Sequence, residues 1–278
     1  MFFGTPADAV PALRALHDAG YDIALVVTQP DRRRGRRGRA DPSPVKAAAS
    51  ELGLPVRTPE RAREVTDEVA ASGADVGVVV AFGQLLPEPL FAGVPLGFVN
   101  VHFSLLPRWR GAAPVERAIL AGDAETGVCI MAIEKGLDTG AVFARTATPI
   151  GDDETAGELR ERLVALGTDL LVDTLPKLAT ITPEPQAGEP TSADKLTVEE
   201  FELDFSRPPA ELVRVVRAGN PRPGAWTTID GRRLKVWRAR VGADGSLELL
   251  EVQPEGRARM SGDAWTRGRH GTPVRFGS

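Results

Sequence analysis

The chain contains very little cysteine and histidine, the side chains that build most metal centres and disulfide frameworks. Cys129 is the single cysteine among 278 residues, so no intramolecular disulfide can form, and a reducing compartment is expected. The histidines are His17, His102 and His270, and no Cys/His cluster has the spacing of a zinc site. We therefore expect no metal centre.

Long apolar runs are also missing. No stretch of about 18 consecutive apolar residues exists, and the N-terminus lacks a charged segment followed by an apolar one. The apolar content of 42% and the charged content of 26% are ordinary for globular proteins. We expect a cytoplasmic protein with no membrane partner.

The net charge of −4 is small, but the charges are distributed unevenly. Residues 205–278 hold 14 Lys/Arg against 7 Asp/Glu, a balance of +7, which leaves −11 for residues 1–204. This asymmetry favours a basic module attached to an acidic catalytic one. The alternative is a chance distribution over a solvated surface.

Short, continuous apolar stretches alternate with helical patterns in the first two-thirds of the chain. Residues 23–27 and 76–81 are two such stretches. Continuous apolar strands separated by helices are typical of parallel βαβ units whose sheet is covered on both faces. The pattern predicts an α/β fold with a doubly wound, mainly parallel, Rossmann-like sheet.

The C-terminal third has a different pattern. Residues 182–190 contain three prolines and no helical period, which predicts a linker or a surface strap. Beyond it, short strands are separated by the hairpin signals Asp230-Gly231 and Asp244-Gly245. We predict a catalytic domain over residues 1–181, a linker over 182–199, and over 200–278 a small OB-like β-barrel, whether complete or incomplete.

The most informative residues are Asn100 and His102, which follow the apolar run at residues 96–99. Residues two apart on a strand project to the same side, and ligands of open α/β sheets bind at strand ends. An amide donor beside an imidazole can stabilise an oxyanion while a proton moves. Taken singly, Asn100 could equally cap a strand end and His102 could be a hydrogen-bonded core histidine.

Asp138 lies in a loop between Gly136 and Gly140, where the chain can approach a ligand closely. A carboxylate near an imidazole orients it for acid–base chemistry. Alone, Asp138 could be a turn aspartate that hydrogen-bonds its own backbone. With Asn100 and His102, it predicts a catalytic group.

Several motifs resemble the folate-dependent formyltransferase family. They are Asn-x-His at 100–102, Ser-Leu-Leu-Pro at 104–107, Trp-Arg-Gly-Ala-Ala-Pro at 109–114, Gly-Leu-Asp-Thr-Gly at 136–140 and Phe-Gly-Thr-Pro at 3–6. The resemblance covers nearly the whole chain. It implies transfer of the formyl group of 10-formyltetrahydrofolate, as co-substrate, to the α-amino group of methionine on initiator methionyl-tRNA.

The resemblance also implies site residues. Asn100, His102 and Asp138 match the catalytic trio of the family. The residues that match its folate site are Ser104, Leu105, Leu106, Pro107, Phe82, Gly83, Gln84 and Leu85.

A run of six arginines occupies residues 32–39. Two glycines and the dense charge disfavour a stable helix, and arginine binds phosphates bidentately and stacks on unpaired bases. The position matches the insertion with which the family binds the acceptor stem, and Arg36 matches its key arginine. The predicted tRNA-binding residues are Arg32, Arg33, Arg34, Arg36, Arg37, Arg39, Arg232, Arg233 and Lys235. We expect a monomer.

Two departures from the family pattern bear on these expectations. The first strand is reduced to a few residues, because Met1 directly precedes Phe2; a misassigned start or a truncation would explain this. The C-terminal module is also short, which would weaken tRNA binding. The rival functions are formylation of a small amine, such as glycinamide ribonucleotide or an amino sugar, and RNA binding without catalysis.

Overall fold

The computed structural model describes residues 1–33, 40–269 and 277, with the backbone alone at 32, 33 and 40. Its strands are, in chain order, β1 (Phe2–Gly4), β2 (Val26–Val27), β3 (Arg32–Arg33), β4 (Ala40–Asp41), β5 (Val56–Arg57), β6 (Gly77–Val80), β7 (Phe98–His102), β8 (Arg110–Gly111), β9 (Glu125–Ala132), β10 (Val142–Pro149), β11 (Ser192–Ala193), β12 (Ala225–Ile229), β13 (Arg232–Val241), β14 (Leu247–Pro254) and β15 (Met260–Ser261). Its α-helices are α1 (Val10–Asp18), α2 (Pro44–Glu51), α3 (Thr66–Ala71), α4 (Glu88–Ala92), α5 (Pro114–Ala121), α6 (Ala156–Thr174), α7 (Pro209–Gly219) and α8 (Gly262–Gly268).

The chain forms two compact units that do not follow a single cut in the sequence. Unit 1 comprises Met1–Ala112, Gly127–Thr148 and Glu161–Ser192, and unit 2 comprises Ala113–Thr126, Pro149–Arg160 and Ala193–Ser278. The domain boundaries that we place at residues 181/182 and 199/200 stay a prediction.

A seven-stranded sheet with the order β10-β9-β7-β6-β1-β2-β5 organises the first part of the chain. The run from β5 through β2, β1 and β6 to β7 is parallel, and β9 pairs with β7 in the antiparallel sense. The predicted mainly parallel, doubly wound sheet is confirmed. The strand order reverses between β1 and β6, which is the switch point beside which such sheets bind ligands.

The first strand is as short as the sequence indicates, yet it pairs on both sides. Phe2 and Phe3 are in register with β2, and residues 2–4 are in register with β6. The ring of Phe3 contacts the rings of Phe82 and Phe98 edge-on, with centroids 5.4 and 5.2 Å apart. Aromatic packing of this kind adds to ordinary apolar burial, so side-chain contacts compensate for the few ladder hydrogen bonds of β1.

Strand β7 separates two differently packed faces. A Cβ placed on Gly167 of α6 would lie 2.9 Å from Val101 and 3.5 Å from Phe103, so these two side chains face that helix. Phe98 belongs to the apolar cluster on the other face. Because side chains alternate along a strand, Asn100 and His102 lie on the Phe98 side.

Unit 2 contains a four-stranded antiparallel sheet in the order β12-β13-β14-β15. Asp230 and Gly231, with φ of 52° and 72°, form the turn between β12 and β13, as their sequence predicts. Helix α7 buries Leu212, Val215 and Val216. Where we predict a complete or incomplete OB-like barrel, the described residues form this four-stranded antiparallel sheet.

Within the described residues, no helix combines the length and the apolar character that crossing a membrane requires.

Candidate active site

Strand β7 carries Asn100 and His102 to the carboxyl edge of the parallel sheet. Asn100 is in register with Val79 of β6 and Met131 of β9, and His102 with Cys129 of β9. Burial raises the pKa of the Cys129 thiol, which keeps this side chain a neutral packing group. His102 is the last residue of β7, and its backbone is held by the pairing of β7 with Cys129 of β9.

The imidazole of His102 is nearly buried, with 5% of the residue exposed. Its Nε2 lies 2.8 Å from the carbonyl oxygen of Trp109. A carbonyl only accepts, so Nε2 carries a proton and donates it in this bond. Nδ1 is the ring nitrogen that remains for chemistry, because no described residue hydrogen-bonds it.

Asp138 lies on the Nδ1 side of this ring. Its Oδ2 is 3.7 Å from Nδ1 and accepts a 2.8 Å hydrogen bond from the backbone N–H of Gly111. The backbone of Asp138 is in the left-handed region, with φ of 51°. The distance to Nδ1 is too long for a direct hydrogen bond but short enough for strong attraction between the carboxylate and a protonated imidazole.

The amide of Asn100 is partly exposed and makes no hydrogen bond to any described residue. It projects on the same face of β7 as His102. The structure thus brings together a free amide, an imidazole with one open nitrogen, and a carboxylate. This combination can stabilise an oxyanion and move a proton.

Comparisons with known proteins give this geometry its context. Residues 1–175 match the formyl transferase family, and residues 195–244 match the formyl transferase C-terminal domain. The chain belongs to the formyl transferase family. A methionyl-tRNA formyltransferase of Paracoccus denitrificans is 46% identical over 288 residues, which cover 96% of each chain.

Solved structures agree with the fold. The methionyl-tRNA formyltransferase from Clostridium thermocellum superposes with a TM-score of 0.61 at 16% identity, over 94% of this chain and 98% of that one. An N-formyltransferase from Helicobacter canadensis, in complex with folinic acid and dTDP-3-aminofucose, gives a TM-score of 0.64 at 18% identity, over 87% of both chains. At such identities the likeness concerns the fold alone.

In this member of the family, the turn after β7 has its side chains directed both inward and outward. Ser104 is fully buried and donates a 2.5 Å hydrogen bond to the Arg108 carbonyl. Leu106 packs in a cluster with Cys129, Met131 and Val142. Leu105 and Pro107 are partly exposed. Of the four residues predicted to bind folate here, Leu105 and Pro107 are those whose side chains can reach a ligand.

The second predicted folate segment follows β6 at the strand-order switch point. The Phe82 ring is buried. The backbone carbonyl of Phe82 accepts 2.9 Å hydrogen bonds from Thr5 Oγ1 and Gln29 Nε2. Gly83 has φ of 81°, and the Gln84 side chain accepts from the Ala62 N–H at 2.7 Å. Leu85 is 79% exposed. Phe82 and Gln84 therefore build the loop, while Leu85 and the backbone at Gly83 are open to a ligand.

The arginines predicted to bind tRNA are placed unevenly. Arg32 and Arg33 form β3, which pairs with β4, whereas residues 34–39 lie outside the described residues. On β13, Arg232 is exposed and Arg233 stacks over Trp226 at 4.0 Å. Lys235 donates to the Pro223 carbonyl at 3.0 Å and lies 5.2 Å from the Trp237 ring.

Residues 184–192, called here the bracing segment, contact the site in the structure, although the sequence predicts them only as a linker. Gln186 donates to the carbonyls of Asp138 and Gly140, and Thr191 accepts from the Trp109 N–H. No local pattern marks these residues, because their partners are distant in the sequence.

In the described part of the chain, no group of three or more His, Cys, Asp or Glu side chains could hold a metal ion.

Proposed function

We propose that the protein transfers the formyl group of 10-formyltetrahydrofolate to the α-amino group of methionine on initiator methionyl-tRNA. The observation that carries the proposal is that Asp138, in the loop between β9 and β10, lies 3.7 Å from the ring of His102, which shares one face of β7 with Asn100. Similarity to methionyl-tRNA formyltransferases along nearly the full chain supports this choice of substrate.

The proposed reaction is an acyl transfer. The amine attacks the formyl carbon, a C–N bond forms, and the carbonyl electron pair moves to oxygen; the bond from carbon to the folate nitrogen then breaks. The Asn100 amide, which makes no hydrogen bond to another described residue, would donate to the developing oxyanion. Nδ1 of His102 would carry the proton between the attacking amine and the leaving nitrogen, while Asp138 stabilises the positive charge on the ring.

The proposed folate contacts lie at two loops of the sheet edge. Leu105 and Pro107 on one side, and Leu85 with the Gly83 backbone on the other, offer apolar surface and unblocked backbone. Ser104, Leu106, Phe82 and Gln84 would support those loops from within. Folate binding here is tested by Leu85→Asp, which should raise the KM for 10-formyltetrahydrofolate and leave the KM for tRNA unchanged.

Binding of tRNA is proposed for the arginine run at residues 32–39 and, secondarily, for Arg232, Arg233 and Lys235. Arg36→Gln should raise the KM for methionyl-tRNA and reduce its dependence on salt, because one phosphate contact fewer releases fewer counterions. Unchanged kinetics across a salt series would contradict this role. The matched control is Arg61→Gln, which removes one arginine of unit 1 outside the run.

One experiment separates the proposed function from its rivals. The purified protein is incubated with 10-formyltetrahydrofolate and either methionyl-tRNA, glycinamide ribonucleotide or an amino sugar nucleotide. We expect formylation of methionyl-tRNA alone. Formylation of a small amine would mean that this amine, and not methionyl-tRNA, is the acceptor. Binding of tRNA without turnover would indicate an RNA-binding protein without catalysis. A cytoplasmic location and a monomeric state are part of the proposal.

A further inference from the structure

We propose that the bracing segment (residues 184–192) positions the catalytic groups, with Gln186 and Thr191 as its positioning residues. The inference rests on the proposed function, because it assigns these residues to the formyl-transfer site. All of the contacts involved lie within unit 1.

Gln186 holds the loop that carries Asp138. Its Nε2 donates to the carbonyl oxygens of Asp138 and Gly140, both at 2.8 Å. Its Oε1 accepts from Nε and Nη2 of Arg110, at 3.0 and 2.7 Å. Both ends of the amide are thus occupied. A flipped amide would direct N–H groups at a guanidinium and oxygen at two carbonyls, so the network allows one orientation.

Thr191 holds the carbonyl that fixes His102. Its Oγ1 accepts from the Trp109 N–H at 2.8 Å, and its backbone oxygen accepts from the Arg110 N–H at 2.9 Å. Trp109 has φ of 64°, a region that L-residues rarely occupy without support. The Trp109 carbonyl in turn accepts from Nε2 of His102 at 2.8 Å. Thr191 therefore acts on the imidazole through the Trp109 backbone.

The two chains of contact meet at the imidazole. Thr191 fixes the Trp109 carbonyl on the Nε2 side. Gln186 fixes the loop of Asp138, whose carboxylate lies 3.7 Å from Nδ1. Trp109 and Asp138 are both non-glycine residues with positive φ, and each is supported by this one segment. The geometry keeps the proton on Nε2 and leaves Nδ1 for the reaction. Fixing the tautomer in this way is a known function of groups behind a catalytic histidine.

Thr191→Val tests the proposal most directly, because valine keeps the size of the side chain and removes the oxygen that holds Trp109. We expect kcat for methionyl-tRNA formylation to fall by about 10- to 100-fold, as for loss of one partly buried hydrogen bond, with KM within about twofold. Thr191→Ser keeps the hydroxyl and should retain kcat. Gln186→Glu removes both donors and should also lower kcat.

The matched control is Thr182→Val, which makes the same change two residues before the bracing segment. The Thr182 residue is exposed and belongs neither to that segment nor to the catalytic groups. The kcat of Thr182→Val should equal that of the wild type. A Gln186→Glu variant as active as this control would overturn the role of Gln186.

A spectroscopic readout separates positioning from mere stabilisation. The chain has three histidines, so ¹⁵N-histidine labelling gives few imidazole signals, and those of His102 are identified by their loss in His102→Ala. In the wild type we expect the shifts of a ring protonated at Nε2, and in Thr191→Val a shift towards mixed tautomers. Unchanged imidazole shifts in Thr191→Val would overturn the proposal, whatever its thermal stability. A wild-type protein with the Nε2–H tautomer but no formylation would refute the proposed function instead.

Discussion

The catalytic role that we propose for Asp138 leads to a quantitative prediction for Asp138→Asn. The substitution keeps the shape of the side chain and an oxygen that can accept the Gly111 N–H. It removes the negative charge that lies 3.7 Å from Nδ1 of His102. The imidazole then carries the transferred proton without an adjacent counter-charge.

The size of the effect follows from the distance and the burial of the pair. At 3.7 Å, Coulomb attraction is about 4 kcal/mol for an effective dielectric constant of about 20. The Asp138 side chain is 14% exposed, which reduces this value by solvent screening. A loss of about 2–4 kcal/mol in the transition state corresponds to a fall in kcat of roughly 30- to 1,000-fold.

The assay is single-turnover formylation of methionyl-tRNA at saturating 10-formyltetrahydrofolate, with circular dichroism to confirm folding. Asp18→Asn is a suitable control, because the Asp18 side chain is 77% exposed on the surface. We expect His102→Ala to lose turnover at least as fully as Asp138→Asn. A loss of less than tenfold in folded Asp138→Asn would refute the electrostatic role of the carboxylate.

Three further predictions concern stability and accessibility. The thiol of Cys129 is buried, and burial raises its pKa. A disulfide reagent at pH 7 should therefore label the native protein at least about 1,000-fold more slowly than the unfolded protein. Rapid labelling of the native protein would contradict the burial of this thiol. Hydrogen bonds from Thr155 and the Arg238 guanidinium hold the pKa of Glu158 at about 2, below its usual 4.5, so this group contributes stability above pH 4.5 that is lost as the pH falls towards 2. Because the side chain is 47% exposed, Glu158→Gln should cost only about 0.5–1 kcal/mol by urea unfolding at pH 7 and less at pH 3, and a cost independent of pH would exclude the charge effect. A Cβ on Gly140 would lie 1.9 Å from the Ala132 carbonyl oxygen, so Gly140→Ala should destabilise the protein by about 1–3 kcal/mol and impair turnover, whereas Gly93→Ala, with open space around it, should do neither.

The sequence predicts the fold class because its signals are local. Continuous apolar stretches, helical periods and glycine-containing turns each act within about ten residues, and they specify parallel βαβ units irrespective of distant contacts. Asn100 and His102 are predicted together for the same reason, since two residues of one strand share a face. The chain's place in the formyl transferase family also follows from contiguous motifs.

Strand lengths are less predictable from local signals. The apolar stretch at residues 23–27 predicts a five-residue strand, but β2 comprises only Val26 and Val27, because its neighbours β1 and β5 are themselves short. A ladder ends where its partner ends, and the partner's length is not written in the strand itself.

The sequence alone therefore determines the α/β architecture, the formyl transferase family and the identity of Asn100, His102 and Asp138 as candidates. Only the tertiary structure decides which nitrogen of His102 is free and what holds Asp138 beside it. The residues that do so, Gln186 and Thr191, lie in the segment of residues 182–199 that we predict as a linker. They act on residues 48 and 82 positions away, as the hydrogen bonds to Asp138 and Trp109 show. Contacts across such separations exist only after the chain has folded, so no local pattern could have indicated them.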